Sequence, residues 1–189
     1  MGSILLARHG ETAWNAIGRM QGHTDVELND IGRTQARALA AQVAGAGLVA
    51  IWASDLARAS ETAAIVAAEL ALPPPRVDPD LRERRFGVFE GLTRDEIAAR
   101  YPDAWRAWTA HTQSPPGGEP RADAIARMGR AIARVHAESG GPALVISHGG
   151  VMRLWLGDLL GAAVPPVPNT AVYALAHDGA RFHAELRAR

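Results

Sequence analysis

The sequence predicts an α/β protein: a three-layer α/β/α sandwich with a mainly parallel sheet and a small insertion over the active site. Two observations support this prediction. Short apolar runs of strand length alternate with longer segments whose apolar residues recur at helical spacing. At 189 residues, the chain is long enough for one domain with a sizeable core and too short for two comfortable ones. We therefore expect a single domain over residues 1–189.

The first half of the chain alternates strands with helices. Asn29 and Asp30 can cap a helix, whose apolar spacing continues until Gly45 and Gly47 interrupt it. A later alanine-rich stretch is ended by residues 73–75, which are all proline. The predicted elements are, in order, a strand at 4–7, a helix at 31–44, a strand at 48–53, a helix after Asp55 through Leu72 and a short strand at Val77.

The second half contains a stretch of a different kind. Residues 84–120 are punctuated by glycine and proline and carry a short helix signal at 93–100, so we expect a cap insertion rather than a sheet element. Phe89, Trp105 and Trp108 either line a substrate pocket or pack the insertion onto the body. The elements predicted after it are a helix at 122–137, a strand at 143–147, a helix at about 151–160 and closing strands at 171–176 and 181–186.

Composition excludes several classes of function. The chain carries 20 basic and 20 acidic residues, so no global field favours nucleic acid or an anionic membrane. It contains no cysteine, which excludes disulfides and thiolate sites. We see no signal peptide and no apolar stretch of membrane-spanning length. We therefore expect a cytoplasmic protein without nucleic-acid or membrane partners, and the sequence does not indicate its oligomeric state.

Two predicted strands end in the same way. The first runs into Arg8-His9-Gly10, and the strand at 143–147 runs into His148-Gly149-Gly150. In open α/β sheets the ligand crevice lies beyond the carboxyl ends of the strands, so neighbouring strands would bring both histidines into one crevice. A helix starts just after His148, and its free amides favour an anion there. Three further histidines lack this pattern and are expected at the surface: His23, His111 and His136.

Four side chains admit alternative interpretations. The two histidines could be metal ligands, but neither has a second ligand at metal spacing, so we predict no metal site. Arg58 lies in the first turn of a helix, where a cation opposes the dipole; it is either a surface residue or a partner for an anion. Glu83 stands among arginines and is either a solvated ion-pair residue or a proton donor within reach of the crevice.

The ordered set of motifs resembles the histidine phosphatase superfamily, in its branch of phosphoglycerate-mutase-like phosphatases. The resemblance runs nearly end to end. The matching stretches are Arg8-His9-Gly10-Glu11-Thr12, Trp14-Asn15, Gln21-Gly22, residues 28–32, Ser54-Asp55-Leu56, Arg58-Ala59, Glu61-Thr62, Leu81-Arg82-Glu83, Phe86-Gly87, Glu90-Gly91, Gly117-Gly118-Glu119 and Ser147-His148-Gly149-Gly150.

This resemblance implies roles for particular residues. It makes His9 the nucleophile that becomes phosphohistidine and Glu83 the general acid. It implies no cofactor and no metal, and its partner is a small-molecule phosphate ester. The remaining assignments are phosphoryl binding by Arg8, Arg58 and His148, a place for Asn15 at the edge of that pocket, and substrate binding by Gln21, Gly22 and Gly149.

Elementary chemistry agrees with these roles. A transferring phosphoryl group spreads negative charge over its oxygens, so a clamp of two guanidiniums and an imidazolium would stabilise it. His9 must attack while neutral, with its other ring nitrogen donating, we expect, to a backbone carbonyl near Gly10. Glu83 can protonate the leaving alkoxide and later accept a proton from water, which favours a mildly acidic optimum.

The family contains both phosphatases and mutases, and three features favour hydrolysis. Only about 65 residues separate Glu83 from His148, which is short for the insertion of the mutases. The stretch from Thr93 to Pro120 is poor in cations, and Gly149 stands where those mutases carry asparagine. We therefore predict a phosphomonoesterase for small phosphorylated metabolites. The alternatives are a phosphoglycerate mutase, a dedicated α-ribazole phosphate phosphatase and a catalytically silent phospholigand-binding protein.

Overall fold

The computed structural model describes residues 3–186 and contains one six-stranded sheet flanked by helices. The strands are β1 (Ile4–Arg8), β2 (Ala50–Ala53), β3 (Arg76–Val77), β4 (Ala143–Ser147), β5 (Val172–His177) and β6 (Phe182–Leu186). The helices are α1 (Ala13–Ala16), α2 (Asp30–Val43), α3 (Ala57–Glu69), α4 (Arg94–Arg100), α5 (Pro102–Thr109), α6 (Arg121–Glu138) and α7 (Gly149–Leu160). No helix within the described range is both long and apolar enough to cross a bilayer.

The strand order places the two histidine-bearing strands side by side. The order across the sheet is β3-β2-β4-β1-β5-β6, in which the first four strands are parallel and β5 is antiparallel to both of its neighbours, β1 and β6. Within the β1–β4 pair, Arg8 lies opposite Ser147. His9 and His148 therefore leave the sheet as neighbours at its carboxyl edge, because parallel strands end on the same side.

Side-chain alternation along β1 shows how the layers form. Ile4 and Leu6 face one core, which is completed by α6 and α7. Leu5 faces the other core with Ala7, and α2 and α3 cover that side. Successive residues of a strand point to opposite faces, so a strand that is apolar throughout is buried between two layers of helices. The predicted three-layer α/β/α fold is confirmed.

Two helices were missed by the sequence analysis. The single turn α1 lies between the strand predicted at 4–7 and the helix predicted at 31–44, and a reciprocal capping box between Thr12 and Asn15 stabilises it. Helix α5 begins at Pro102, inside the segment 84–120, for which only a helix at 93–100 is predicted. Proline is favourable at the first helical position because its missing N–H would have had no partner there.

Gly10 is required by a close backbone contact rather than by its backbone conformation, since its φ lies outside the left-handed region. A Cβ at Gly10 would stand 2.4 Å from the Gly32 carbonyl oxygen, and one at Gly32 would stand 2.1 Å from the Glu11 carbonyl oxygen. These two glycines therefore allow the loop after β1 to lie directly against the start of α2.

The segment at 84–120 has its own small core, and a backbone hydrogen bond joins its two ends. Phe89 is fully buried against Trp105 and Trp108, with ring centroids 6.2 and 5.9 Å away. These aromatic residues are absent from the lining of the cavity described below, so they pack against one another within the segment. At its base, Arg85 and Glu119 are joined by a backbone hydrogen bond of 2.9 Å. Trp14 is half-buried.

Candidate active site

A cavity of about 560 Å³ opens at the carboxyl edge of the sheet, where β1 and β4 end. It brings together residues that the sequence analysis singled out from distant segments. The predicted site residues that line it are Arg8, His9, Asn15, Gln21, Gly22, Arg58, Glu83 and Gly149. The remaining one, His148, lies fully buried with its ring centroid 5.0 Å from that of His9.

His9 is held in one tautomer by its own loop. Its Nδ1 lies 2.6 Å from the Gly10 carbonyl oxygen, which can only accept a hydrogen bond, so Nδ1 carries the proton. Nε2 therefore keeps a lone pair. Burial, with the charges of Arg8 and Arg58, lowers the pKa of His9 well below its usual value. The ring accordingly stays neutral, as a nucleophile must, in mildly acidic solution.

His148 is also neutral, which corrects the imidazolium expected from the sequence. Its Nδ1 accepts a hydrogen bond of 3.2 Å from Nε of Arg58, and an accepting nitrogen cannot carry a proton. Burial and the adjacent Arg58 charge lower its pKa well below the usual value. The proton therefore lies on Nε2, which is buried without a partner among the described residues. His148 thus presents an N–H donor rather than a positive charge.

Arg8 and Arg58 place two guanidiniums in the cavity, which Arg19, Arg94 and Arg153 also line. Arg58 is almost completely buried, and it donates to the carbonyls of Gly22 (2.8 Å) and Thr24 (3.0 Å). Burial lowers its pKa to about 10, which still leaves it charged at neutral pH. Arg8 donates to the Val167 carbonyl at 2.8 Å. Its Nε is buried and unpartnered within residues 3–186, so a donor is left for an anion.

Glu83 occupies the place that the sequence analysis reserved for a bound anion. Its carboxylate accepts backbone hydrogen bonds from Gly150 (2.9 Å), Val151 (2.7 Å) and Arg84 (2.8 Å). The first two amides belong to the N-terminal turn of α7, where the helix dipole favours negative charge. The anion at the start of α7 is therefore a side chain of the protein itself, and Arg8 and Arg58 are left for a ligand.

Glycines allow this close arrangement. A Cβ at Gly150 would stand 2.5 Å from Oε1 of Glu83, so only glycine lets the carboxylate reach the start of the helix. A Cβ at Gly149 would lie 3.1 Å from Nε of Arg8. Gly22 has a φ of +54°, and a Cβ there would meet the Glu90 carboxylate at 2.2 Å. Gly22 thus satisfies both a turn and a tight contact.

Asn15 and Gln21 line the cavity in different ways. The side-chain oxygen of Asn15 accepts from the Thr12 backbone N–H at 3.1 Å, which leaves its amide nitrogen for a ligand oxygen. Gln21 is buried, and its side-chain oxygen has no hydrogen-bond partner among residues 3–186. A buried polar atom of this kind costs free energy unless a ligand or water satisfies it. Both side chains therefore suit contact with a substrate.

Sequence reasoning missed several residues that support the site. Thr62 accepts from Gly10 N at 3.1 Å and donates to the Arg58 carbonyl at 2.7 Å. Asn169 donates to the His9 carbonyl at 2.9 Å. Arg127 donates to the Glu83 carbonyl, and so does His23, which had been expected at the surface. Thr62 and Arg127 each interrupt the apolar stripe of a helix, and that interruption was the available signal.

The two buried histidines predict how stability varies with pH. Their folded pKa values lie below the ordinary value of 6.5, so the unfolded chain binds more protons below that pH. We expect the contribution of these histidines to the unfolding free energy to be complete above pH 6.5. On acidification below that pH, the unfolding free energy should fall by up to about 1.4 kcal/mol per pH unit for each histidine. Urea unfolding between pH 7 and 5 measures this slope. It should become shallower in His148→Gln and remain unchanged in His111→Gln, since His111 is exposed.

The chain is similar in sequence to a known family and to proteins within it. The model of the histidine phosphatase superfamily (branch 1) matches residues 4–188. Phosphoglycerate mutase-like protein 4 of Arabidopsis thaliana is 39% identical over 155 residues, covering 79% of this chain and 67% of that protein. Metal-independent phosphoserine phosphatase of the same plant is 38% identical over 157 residues, covering 79% of this chain and 65% of that protein. The chain thus spans about two thirds of the length of these relatives.

A solved structure provides a comparison over the whole described fold. Mycobacterial glucosyl-3-phosphoglycerate phosphatase, in a complex with VO3, superposes with a TM-score of 0.88 at 32% sequence identity. The superposition covers 98% of each chain. The similarity between the two folds therefore extends over nearly complete chains.

Proposed function

Since the chain belongs to branch 1 of the histidine phosphatase superfamily, we propose that it is a metal-independent phosphomonoesterase acting through a phosphohistidine on His9. The family and its phosphatase-named relatives make it a phosphoric monoester hydrolase. Its substrates are small phosphorylated metabolites, and residues 84–120 form the cap of a single domain. The observation that carries the proposal is the neutral His9 ring beside two guanidiniums and unpartnered N–H donors.

The first half-reaction transfers the phosphoryl group to His9. Nε2 forms a bond to phosphorus while the bond from phosphorus to the ester oxygen breaks. Arg8 and Arg58, with the Nε2–H of His148, receive the phosphoryl oxygens, whose charge they neutralise without rearranging. The departing alkoxide takes a proton from Glu83. As the general acid, Glu83 must therefore hold a proton when the ester is bound.

The second half-reaction restores the enzyme. Water attacks phosphorus, the bond from phosphorus to Nε2 breaks, and Glu83 accepts the proton that water loses. The sum is ester plus water giving alcohol plus phosphate, and both His9 and Glu83 return to their starting protonation states. The Nδ1–H bond to Gly10 holds His9 in the same orientation throughout, so each step remains in line.

Two features of the cavity support hydrolysis rather than mutase activity. Of the three arginines between Thr93 and Pro120, Arg94 lines the cavity, whereas Arg100 and Arg106 do not. The cap would therefore contribute few cations to bind the second charged group of a phosphoglycerate. Gly149 also leaves room for the Arg8 guanidinium, which a side chain such as asparagine would crowd.

Metal independence is part of the proposal and is tested by chelation. Within residues 3–186, no three histidine, aspartate or glutamate side chains are gathered where they could hold a metal ion. We expect the phosphatase activity to be unchanged by excess EDTA, because the positive charge of the site comes from Arg8 and Arg58. Phosphate release before and after chelation, with divalent ions added back, measures this. Activity that is lost with EDTA and restored by an ion would contradict it.

The same assay distinguishes the candidate functions. The panel contains phosphoserine, glucosyl-3-phosphoglycerate, α-ribazole phosphate, nitrophenyl phosphate and 3-phosphoglycerate, and the products of the last are identified. Phosphate release from several esters without formation of 2-phosphoglycerate supports the phosphatase and ranks its substrates. Interconversion of the phosphoglycerates with little phosphate release would make the protein a mutase, and binding without turnover would make it a silent member.

A further inference from the structure

The buried guanidinium of Arg127, in α6, donates hydrogen bonds to five acceptor atoms. It donates to the backbone carbonyls of Asp80 (2.8 Å), Arg82 (2.6 Å) and Glu83 (3.0 Å). It also donates to both carboxylate oxygens of Glu119, at 2.7 and 2.8 Å. Arg127 is only 9% exposed. All of its donor nitrogens are therefore engaged, and none is directed to solvent or to the cavity.

These bonds hold the segment that carries Glu83. A 3₁₀ turn at Pro79–Leu81 is followed by irregular backbone through Glu83, which leaves carbonyls of this segment without regular partners. Arg127 satisfies three of these carbonyls, and Nε2 of His23 shares the Glu83 carbonyl at 2.7 Å. Helix α6 is itself anchored in the larger core through residues such as Met128 and Ile132. The backbone under Glu83 is thereby fixed to a rigid helix rather than left as a loop.

Glu119 connects the same guanidinium to the cap. Its carboxylate accepts from Arg85 N at 3.3 Å, and its carbonyl accepts from Nε of Arg84 at 2.9 Å. Arg84 also donates to Oγ of Ser114 at 2.8 Å. Both ends of the cap therefore meet at the residue that neutralises Arg127. A buried charge needs such a partner, and removing either member leaves the other uncompensated.

We propose that Arg127, neutralised by Glu119, is a positioning residue that holds the Glu83 carboxyl at the distance needed to protonate the leaving group. This proposal rests on the proposed function, in which Glu83 is the general acid. Proton transfer is sensitive to displacements of an ångström or less, and a supporting residue acts by preventing them. Arg127 itself does not touch the substrate, because the Glu83 segment lies between it and the cavity.

The test compares leaving groups. We expect Arg127→Met to lower kcat/KM for an alkyl phosphate at least about tenfold more than for nitrophenyl phosphate, because only the alkoxide needs a proton. The measured quantity is the ratio of kcat/KM for the alkyl phosphate to kcat/KM for nitrophenyl phosphate, and Glu119→Gln should lower this ratio by a smaller factor. A purely structural role would reduce both substrates equally by lowering the folded fraction, which circular dichroism and urea unfolding measure. Arg127→Lys retains a cation but serves fewer acceptors, and it provides the comparison if the methionine variant does not fold.

Arg130→Gln is the matched control. Arg130 lies on the same helix and is exposed, and it reaches only the Asp80 carboxylate of this segment, at 3.3 Å. Its ratio should equal that of the wild type. Glu83→Gln, measured in parallel, separates the two proposals. If Glu83→Gln shifts the ratio and neither Arg127 variant does, Arg127 is not a positioning residue. If Glu83→Gln leaves the ratio unchanged, the assignment of Glu83 as the acid fails and the role of Arg127 falls with it.

Discussion

Replacement of His9 by alanine is expected to lower kcat by on the order of 10⁴-fold or more for every phosphate ester. The reason lies in the geometry around the ring. His9 keeps a lone pair on Nε2 and lines the cavity together with Arg8 and Arg58, whereas Nδ1 of His148 is occupied by Arg58. His148 therefore offers no lone pair to phosphorus, and no second nucleophile replaces the first.

Two measurements test this expectation. Steady-state assays on several esters give the loss in kcat, and rapid quenching of labelled substrate detects the phosphoenzyme, which should be acid-labile as a phosphohistidine is. His111→Ala is the control, because His111 is exposed and lies outside the cavity lining. Substantial turnover by His9→Ala, or a phosphoenzyme that persists in it, would remove His9 from the role of nucleophile.

Replacement of Glu83 by glutamine is expected to have the second-largest effect, and one that depends on the ester. For alkyl phosphates we expect a loss of about 10²–10⁴-fold, the usual contribution of general acid catalysis. For nitrophenyl phosphate the loss should be much smaller, because nitrophenolate leaves without a proton. The carboxamide has nearly the shape of the carboxylate but cannot donate an acidic proton.

The substitution also perturbs the structure, so the control matters. One end of the glutamine side chain is an NH₂ group, which cannot accept from the amides of Gly150 and Val151 as the carboxylate does. That loss affects both substrates, whereas loss of the acid affects only the alkyl ester. The dependence of kcat/KM on leaving-group basicity, measured over a series of phenyl and alkyl phosphates, separates them. Equal slowing across the series would show that Glu83 is not the acid.

The sequence alone was sufficient to predict the layers and the position of the site. Strand and helix periods are local properties, and a run such as Ile4–Arg8 is apolar on both sides only if helices cover both faces. A parallel sheet brings the residues after its strands to one edge, which predicts that His9 and His148 share a crevice if their strands are neighbours. The structure supplies that condition, since β1 pairs with β4. The short helices α1 and α5 escaped prediction because single capping and proline signals fit loops equally well.

The protonation states and supports of the site were decided only by the tertiary structure. The sequence analysis expected a charged His148 and an external anion at the start of α7. In the structure, Arg58 instead donates a hydrogen bond to His148, and the Val151 N–H donates one to the Glu83 carboxylate. Each pair joins residues far apart in the chain, and a proton's position depends on which partner lies within hydrogen-bond distance. Local pattern identifies the chemical groups, but only the folded chain determines which group donates, which accepts and which remains free for a substrate.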